Sequence, residues 1–200
     1  GDVYKRQIQR DDFQRQIVSI LDHLHYDLRT YKQLPVPDAE ACLDATTSTS
    51  WGLWGSLTNW FWQSTHGEES RPLLRPAGAP QSLYLYGDVG TGKSMLMDLF
   101  YHTLPSNITR KRRVHFHQFM IDVQKSSHAF KACYQDKGHD DVDPIEPVIR
   151  DIAQKAEVLC FDEFQVVDIA DAMILRRLLE GLLRYGVVIV TTSNRHPTEL

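Results

Sequence analysis

Cysteine is scarce in this sequence, and its few cysteines are not arranged to bind zinc. Cys42, Cys133 and Cys160 are far apart and odd in number. A zinc ribbon needs closely spaced pairs and a disulfide framework needs an even set, so neither is indicated. A reducing compartment fits this usage, and a mitochondrial matrix fits it equally well. Cys160 lies in an apolar run and is interpreted as a small core residue rather than a nucleophile.

Long hydrophobic runs and a strong excess of one charge are also lacking. No run reaches the roughly 18 apolar residues that a membrane-spanning helix needs. The formal net charge is −4 over 200 residues, and the basic cluster Arg110 to Arg113 is short. Proteins dedicated to nucleic acids usually carry a basic excess, so strong nucleic-acid binding is not expected. The hydrophobic share of 42% is that of an ordinary globular domain.

The chain divides into three parts of different composition. Residues 1–34 form an N-terminal helical segment, because apolar residues recur at helical spacing from Asp11 to about Leu34, where prolines follow. Residues 35–80 are rich in proline, serine and aromatic residues and are interpreted as an insertion or linker. Residues 81–200 form the third part. The apolar stripe of the first part consists of Phe13, Ile17, Ile20, Leu21, Leu24 and Leu28.

The third part alternates strand and helix patterns, which predicts a parallel sheet covered by helices on both faces. A polar, acidic loop is predicted from Asp136 to Pro147. The predicted strands are Leu83–Tyr86, Val114–His117, Val158–Phe161 and Val187–Thr192. The predicted helices are Lys93–Leu104, Phe119–Tyr134, Val148–Ala156 and Asp168–Tyr185.

A glycine-rich loop follows the first of these strands and matches GxxxxGK[ST] at every fixed position. A hydrophobic strand precedes it and a helix follows, which is the context that a phosphate-binding loop requires. The glycines allow a tight turn whose N–H groups, with the helix N-terminus, can hold phosphates. The predicted ATP-binding residues are Gly87, Asp88, Val89, Gly90, Thr91, Gly92, Lys93, Ser94 and Met95.

Two residues of this loop have further predicted roles. Lys93 can reach the β- and γ-phosphates and is counted among the catalytic residues, and the Ser94 hydroxyl can ligate Mg²⁺. A glycine-rich turn without a ligand is the alternative. A chance match in a chain of this length is on the order of 1% at ordinary glycine content, so the alternative is disfavoured.

Polar residues also follow the third and fourth predicted strands. Asp162 and Glu163 come directly after an apolar run, where ligands of open α/β sheets bind. Asp162 is predicted to hold Mg²⁺ as a Walker B acid, and Glu163 to act as general base toward water. Asn194 follows the fourth strand and is predicted to contact the γ-phosphate or the attacking water. Taken alone, each motif also fits an ordinary solvated turn.

Two further groups remain open at this stage. His115 and His117 would share one face of a strand and could bind a metal, but packed histidines are favoured because no third ligand is evident. His117 could alternatively contact Glu163. The aromatic cluster between residues 51 and 62 could touch a membrane surface or a partner, although packing onto the core is favoured. This cluster comprises Trp51, Trp54, Trp60, Phe61 and Trp62.

Several runs resemble the ZapE / lactation-elevated-protein family of AAA+ ATPases. The most specific are His-Phe-His at 115–117 and Phe-Asp-Glu-Phe-Gln at 161–165, and Leu83 to Gly90 and Thr192 to Arg195 are similar too. The resemblance is dense over residues 82–200 and looser in the N-terminal helix. It implies a P-loop NTPase fold of the AAA+ type and ATP hydrolysis by a homo-oligomeric ring that acts on protein substrates.

The resemblance also carries expectations about location and completeness. Eukaryotic members imply mitochondria and quality control of respiratory-chain proteins, and bacterial members imply a cytoplasmic role in cell division. The long insertion before the P-loop favours the mitochondrial type. The chain is expected to be a fragment, because AAA+ proteins place an arginine finger and a sensor 2 arginine beyond the position of Leu200. An arginine finger is worth a rate factor on the order of 10³ or more, so weak hydrolysis is expected from these residues alone.

Other classes of nucleotide-binding protein fit less well. A GTPase should carry an Asn-Lys-x-Asp motif, which is absent from the sequence. A small-molecule kinase would not need a Glu163 placed to activate water. A nucleotide-gated adaptor or loader without its own turnover stays open as the alternative to an ATPase.

Overall fold

The computed structural model describes residues 12–37, 75–136, 143–166 and 169–196. Five helices and four strands follow one another in these residues. The helices are α1 (Asp12–Leu28), α2 (Lys93–Thr103), α3 (Phe116–Asp136), α4 (Ile145–Lys155) and α5 (Ile169–Arg184). The strands are β1 (Leu83–Tyr86), β2 (Lys111–His115), β3 (Val158–Asp162) and β4 (Val188–Ser193).

The four strands form one parallel sheet, as the alternating pattern predicts, and their order in the sheet is β1-β4-β3-β2. Because all strands run the same way, their carboxyl ends meet at one edge. The loop after β1, the Asp162-Glu163 turn and the residues after β4 therefore lie at that edge.

The two central strands of the sheet are buried on both faces, which explains why β3 is apolar as far as Phe161 and β4 as far as Val190. Leu159 and Phe161 of β3 face one hydrophobic cluster, built mainly from α3, α4 and α5. Val158 and Cys160 face a second cluster, built from α1 and α2. Alternate strand residues thus supply two cores on opposite faces of the same sheet.

Helix α1 contributes the apolar stripe that its spacing predicts. Ile17, Leu21, Leu24 and Leu28 are buried against α2 and the sheet. Ile20 was assigned to the stripe wrongly, because it is 45% exposed at the edge of the helix. The side chain of Phe13 lies outside the described residues.

The end of α1 was also predicted wrongly, because the helix stops at Leu28 rather than near Leu34. The side-chain amide of Asn107 donates to the carbonyls of Leu28 and Tyr31, at 2.9 and 3.1 Å. Beyond this stop, buried Gln33 donates to the carbonyls of Ala153 and Tyr185. Tertiary hydrogen bonds end the helix before the prolines do, and they fasten the chain to the amino-terminal edge of the sheet.

Strand β2 begins and ends earlier than predicted. It covers Lys111 to His115, and α3 begins at Phe116, so His115 and His117 do not share a strand face. Phe116 is buried, with its ring 4.4 Å from that of Phe164, which holds the start of α3 against the core. The apolar pattern missed the first three residues of the strand because all three are basic.

The other helix and strand boundaries lie within three residues of the predicted ones. The aromatic cluster of residues 51–62 lies outside the described residues, as does the middle of the predicted acidic loop, residues 137–142. The end of that loop was predicted wrongly, because Ile145 to Pro147 form the first turn of α4. Among the helices that the structure describes, none combines the length and apolarity needed to cross a membrane.

Candidate nucleotide site

A cavity of about 330 Å³ lies at the carboxyl edge of the sheet. It brings together the glycine-rich loop, Glu163 and Asn194, although Val89 of the loop and Asn194 are more than a hundred residues apart in sequence. These groups were predicted separately from the sequence, and the fold places them around one space. The lining residues are Val89, Gly90, Thr91, Gly92, Lys93, Ser94, Met95, Glu163, Thr192, Ser193 and Asn194.

The glycine-rich loop has the backbone that its glycines allow. Gly90 and Gly92 have φ values of 84° and 83°, in the left-handed region that other residues rarely adopt. Gly92 caps α2, and the start of that helix has no hydrogen bond from a capping side chain. The helix N-terminus therefore faces the cavity, and its amide groups suit an anion.

Lys93 is buried within this loop with neutral partners. Its ammonium donates to the carbonyls of Gly87 and Asp88, each at 2.7 Å, and to the Thr91 hydroxyl at 3.2 Å. Burial lowers the pKa of Lys93, and the charge of Asp88 opposes this shift. A buried cation without a directly bonded carboxylate is suited to a phosphate, so the loop fits the triphosphate of a nucleotide.

Glu163 is held in an unusual backbone conformation at the edge of the cavity. Its φ of 56° is the only positive value among the described residues other than glycine. The Glu163 amide donates to the Thr192 hydroxyl at 3.3 Å, and the Phe164 amide donates to the Thr192 carbonyl at 2.7 Å. Left-handed backbone at a non-glycine residue costs about 1–3 kcal/mol, and surrounding contacts must maintain it.

Ser193 joins the same turn to the residue that follows β4. Its hydroxyl donates to the Phe164 carbonyl at 2.8 Å and accepts from the Arg195 amide at 3.1 Å. Asn194 therefore projects from a backbone that is tied to the Glu163 turn. Thr192 and Ser193 were given no role from the sequence, although a run of hydroxyl residues at the end of an apolar strand is visible there; in the structure Thr191, Thr192 and Ser193 are all buried.

Asp162 lies beside the cavity rather than in its wall. It is buried, and both of its carboxylate oxygens accept from Arg113, at 2.7 Å from Nε and 3.2 Å from Nη2. The exposed Ser94 lines the cavity itself. Ser94 and Asp162 could supply only some of the ligands of Mg²⁺, because the described residues contain no cluster of three or more His, Cys, Asp or Glu that could hold a metal. Phosphate oxygens and water would complete the coordination, as is usual for this ion.

Two other contacts near the site were missed by sequence reasoning. The side-chain amide of Gln14 in α1 donates to the Thr91 carbonyl at 3.2 Å, so the N-terminal helix contacts the glycine-rich loop directly. Arg113 lies in the basic run that the sequence analysis passed over as short. No local pattern announces either contact, because each depends on how distant elements pack.

The open alternatives at this edge can now be compared with the structure. His115 ends β2 and His117 lies in α3, and the described residues show no hydrogen bond from His117 to Glu163. Cys160 is fully buried, and burial raises the pKa of its thiol to about 12. The interpretation of Cys160 as a core residue agrees with this, since a thiol with such a pKa is not a nucleophile at neutral pH.

Comparison with known proteins decides the family. Residues 61–200 match the model of the AFG1-like ATPases. The chain belongs to the AFG1-like ATPase family. Its parallel sheet flanked by helices has the P-loop NTPase architecture of the AAA+ type, as the resemblance implies.

Relatives of this AFG1-like chain come from bacteria and eukaryotes. "Lactation elevated protein 1 homolog B" of Danio rerio is 54% identical over 124 residues, covering 60% of this chain and 24% of that protein. "Cell division protein ZapE" of Escherichia coli K12 is 34% identical over 192 residues, covering 96% and 43%. An uncharacterized protein of Schizosaccharomyces pombe is 41% identical over 204 residues, covering 100% and 43%. The chain thus spans less than half the length of these relatives.

Solved structures with a similar course of the chain are more distant. Caenorhabditis elegans PCH-2 has a TM-score of 0.45 and 14% identity, covering 96% of this chain and 40% of that one. AMPPCP-bound DnaA from Aquifex aeolicus has a TM-score of 0.38 and 19% identity, covering 60% and 34%. Likenesses at this level carry no structural or functional detail over to the present chain.

Proposed function

We propose that this AFG1-like chain binds ATP together with Mg²⁺ and that the protein hydrolyses the terminal phosphoanhydride bond of ATP. The observation that carries the proposal is the single cavity lined by the glycine-rich loop, Glu163 and Asn194. A phosphate cradle, a carboxylate and an amide around one space are the parts that phosphoanhydride hydrolysis requires.

Each residue has a distinct part in the proposed reaction. Lys93 exchanges its bonds to loop carbonyls for bonds to phosphate oxygens, where it offsets negative charge. Glu163 accepts a proton from water as the water oxygen attacks the terminal phosphorus, and the bond to the bridging oxygen breaks to release ADP. Asn194 orients the water or the phosphate from the neighbouring strand.

The residues Ser94 and Asp162 would hold Mg²⁺, Ser94 through its hydroxyl and Asp162 through bound water. Bound Mg²⁺ supplies positive charge that offsets the charge of the phosphates in the transition state. The contribution of this chain is a hydroxyl from α2 that lines the cavity and a carboxylate from β3 that lies beside it. The burial of Asp162 and its two bonds from Arg113 support a carboxylate held in one orientation.

We further propose a homo-oligomeric ring that acts on protein substrates, turns over respiratory-chain proteins in the mitochondrion and associates peripherally with a membrane. In a bacterium the same protein would act in the cytoplasm. The higher identity to the Danio rerio relative than to Escherichia coli ZapE supports the eukaryotic type.

The test compares the wild type with Glu163→Gln in the full-length protein. Glu163→Gln keeps the size of the side chain and removes its basicity, so steady-state ATP hydrolysis is expected to fall at least about 100-fold. The affinity for ATP, measured by calorimetry in the presence of Mg²⁺, is expected to stay within about twofold, because the phosphate loop is unchanged.

Gln165→Glu is a matched control, since it alters an exposed residue in the same turn without touching the cavity lining. It should hydrolyse ATP at the wild-type rate. Tight ATP binding by wild type and variant without turnover by either would refute the ATPase and favour a nucleotide-gated adaptor. Absence of ATP binding by the wild type would refute both.

A further inference from the structure

Arg113 is the central residue of an ion-pair group beside the proposed Mg²⁺ site. Its guanidinium binds Asp162 of β3 through Nε and Nη2, and it binds Asp98 of α2 through Nη1 at 2.6 Å. Nη2 also lies 3.4 Å from the Ser94 carbonyl. One side chain of β2 therefore contacts both residues proposed as metal ligands, although these belong to two other elements.

The position of Arg113 follows from the sheet register. Arg113 pairs with Cys160, and Asp162 is two residues further along β3. Alternate residues share a face of the sheet, so Arg113 and Asp162 both lie on the face covered by α2. There Asp98 meets the guanidinium one helical turn after Ser94, which is the spacing that places residues on the same side of a helix.

The geometry of the pair allows Asp162 to serve Arg113 and a metal-bound water together. A carboxylate has about four acceptor positions, and the fork of Arg113 occupies two. The remaining positions stay available for water. A two-point contact from a planar guanidinium also fixes the plane of the carboxylate, which a single contact does not.

The neighbouring residue Arg112 shows what an ordinary ion pair of this strand looks like. Arg112 binds Asp122 of α3 at 3.3 Å on the opposite face of the sheet, with both side chains about 40% exposed. The Arg113 and Asp162 side chains are 22% and 11% exposed. Screening by water is weaker for the second pair, so it holds its geometry more strictly.

We propose that Arg113, anchored by Asp98, is a positioning residue that fixes Asp162 relative to Ser94 and thereby sets the affinity of the nucleotide site for Mg²⁺. The proposal rests on the proposed function, because it concerns the same Mg²⁺–ATP site.

The experiment measures binding of fluorescent mant-ATP as a function of Mg²⁺ concentration, beginning in EDTA. Arg113→Gln removes the fork and is expected to raise the Mg²⁺ concentration for half-maximal effect about 10–100-fold, the usual cost of losing a group that orients a metal ligand. Affinity for mant-ATP in EDTA is expected to stay within about twofold, which also shows that the variant is folded.

Three further variants make the measurement specific. Arg112→Gln removes the adjacent arginine without touching Asp162 and should leave the Mg²⁺ dependence unchanged. Asp98→Asn should shift it in the same direction as Arg113→Gln but less, since it loosens only the anchor. Arg113→Lys keeps the charge without the fork and should recover only part of the affinity.

Each outcome decides a separate point. Unchanged or tighter Mg²⁺ binding in Arg113→Gln, with normal Mg²⁺ dependence in the wild type and in Arg112→Gln, overturns the positioning role while the proposed function stands. Full recovery by Arg113→Lys also overturns it, since charge alone would then suffice. A wild type that binds no mant-ATP overturns the proposed function and this inference with it.

Discussion

At the scale of single residues, the site depends on how two strand ends are joined. Ladder pairing between β3 and β4 runs as far as Phe161 and Thr191. Beyond that point the Thr192 hydroxyl accepts a hydrogen bond from the Glu163 amide, and the Thr192 carbonyl accepts one from the Phe164 amide. The general base proposed here is thus positioned by a residue of the neighbouring strand.

Thr192→Val is expected to reduce ATP turnover about tenfold while ATP affinity stays within about twofold. The substitution keeps the shape of the side chain but removes the acceptor for the Glu163 amide, so a conformation that costs about 1–3 kcal/mol keeps only the bond from the Phe164 amide to the carbonyl of residue 192. The measurement is kcat by a coupled ATPase assay together with Kd by calorimetry. Equal turnover by variant and wild type would contradict the role of the Thr192 hydroxyl in positioning Glu163.

Thr191→Val is the matched control for this prediction. Thr191 is equally buried, lies one position earlier on β4 and bonds to the Leu83 carbonyl at 3.4 Å, away from the cavity lining. It should lose some stability but keep its turnover, so a parallel loss in both variants would indicate a general effect on folding.

The site residues that could be predicted were those whose chemistry is local. Lys93 and Ser94 belong to a contiguous loop whose spacing alone indicates phosphate binding, and Glu163 ends an apolar strand. Arg113 and Thr192 could not be predicted, because their partners are set by strand register and helix packing. The sequence shows which side chains end each strand, but not which neighbour they meet across the sheet.

At the scale of helices and strands, boundaries that depend on hydrophobic burial were predicted well, and boundaries that depend on polar tertiary contacts were not. Strands β3 and β4 begin with apolar residues that are buried on both faces, and they were located within one residue of their bounds. Strand β2 is basic, and α1 ends at tertiary hydrogen bonds, so periodicity placed neither boundary correctly. Hydrophobic patterns indicate burial, and they fail where ion pairs or caps determine the backbone.

Helices α4 and α5 pack closely at Gly181, which allows an element-scale prediction. A Cβ atom added at Gly181 would lie 2.6 Å from Ile149 Cδ1 and 2.8 Å from Ile149 Cγ2. Alanine normally stabilises a helix relative to glycine by about 1 kcal/mol. Here overpacking should prevail, and Gly181→Ala is expected to lower the free energy of unfolding by about 1–3 kcal/mol.

Urea unfolding followed by circular dichroism measures this change in the free energy of unfolding. Repeating the substitution in an Ile149→Ala variant tests whether the clash with Ile149 causes it. In Ile149→Ala the obstructing side chain is gone, so adding Gly181→Ala should then raise stability rather than lower it. If Gly181→Ala stabilised the wild-type background as well, α4 and α5 would not pack as closely as the structure indicates.

At the scale of the whole molecule, α1 is part of the core rather than an appendage. Leu28 at its end is fully buried among residues of α2 and the sheet, and Gln14 near its start reaches the phosphate loop. The N-terminal segment and the α/β part were assigned to separate regions from composition. In the structure they share a hydrophobic cluster.

Leu28→Ala is therefore expected to destabilise the whole chain by about 2–5 kcal/mol. Tyr26→Ala, on the same helix but at a side chain that is 70% exposed, should change stability by less than about 0.5 kcal/mol. Urea unfolding monitored by circular dichroism compares the two. Similar small effects for both would mean that α1 contributes little to the core.

The attachment of the chain around Tyr31 has a consequence for length variation. Val36 and Pro37 lie near Gln154 at the end of α4, and Pro76 lies near Gly186, just before β4. Both places are at the amino-terminal edge of the sheet, opposite the cavity. A change in the length of the intervening stretch is therefore expected to leave the edge with the cavity unaltered, so this is the position at which we expect an inserted domain to be tolerated.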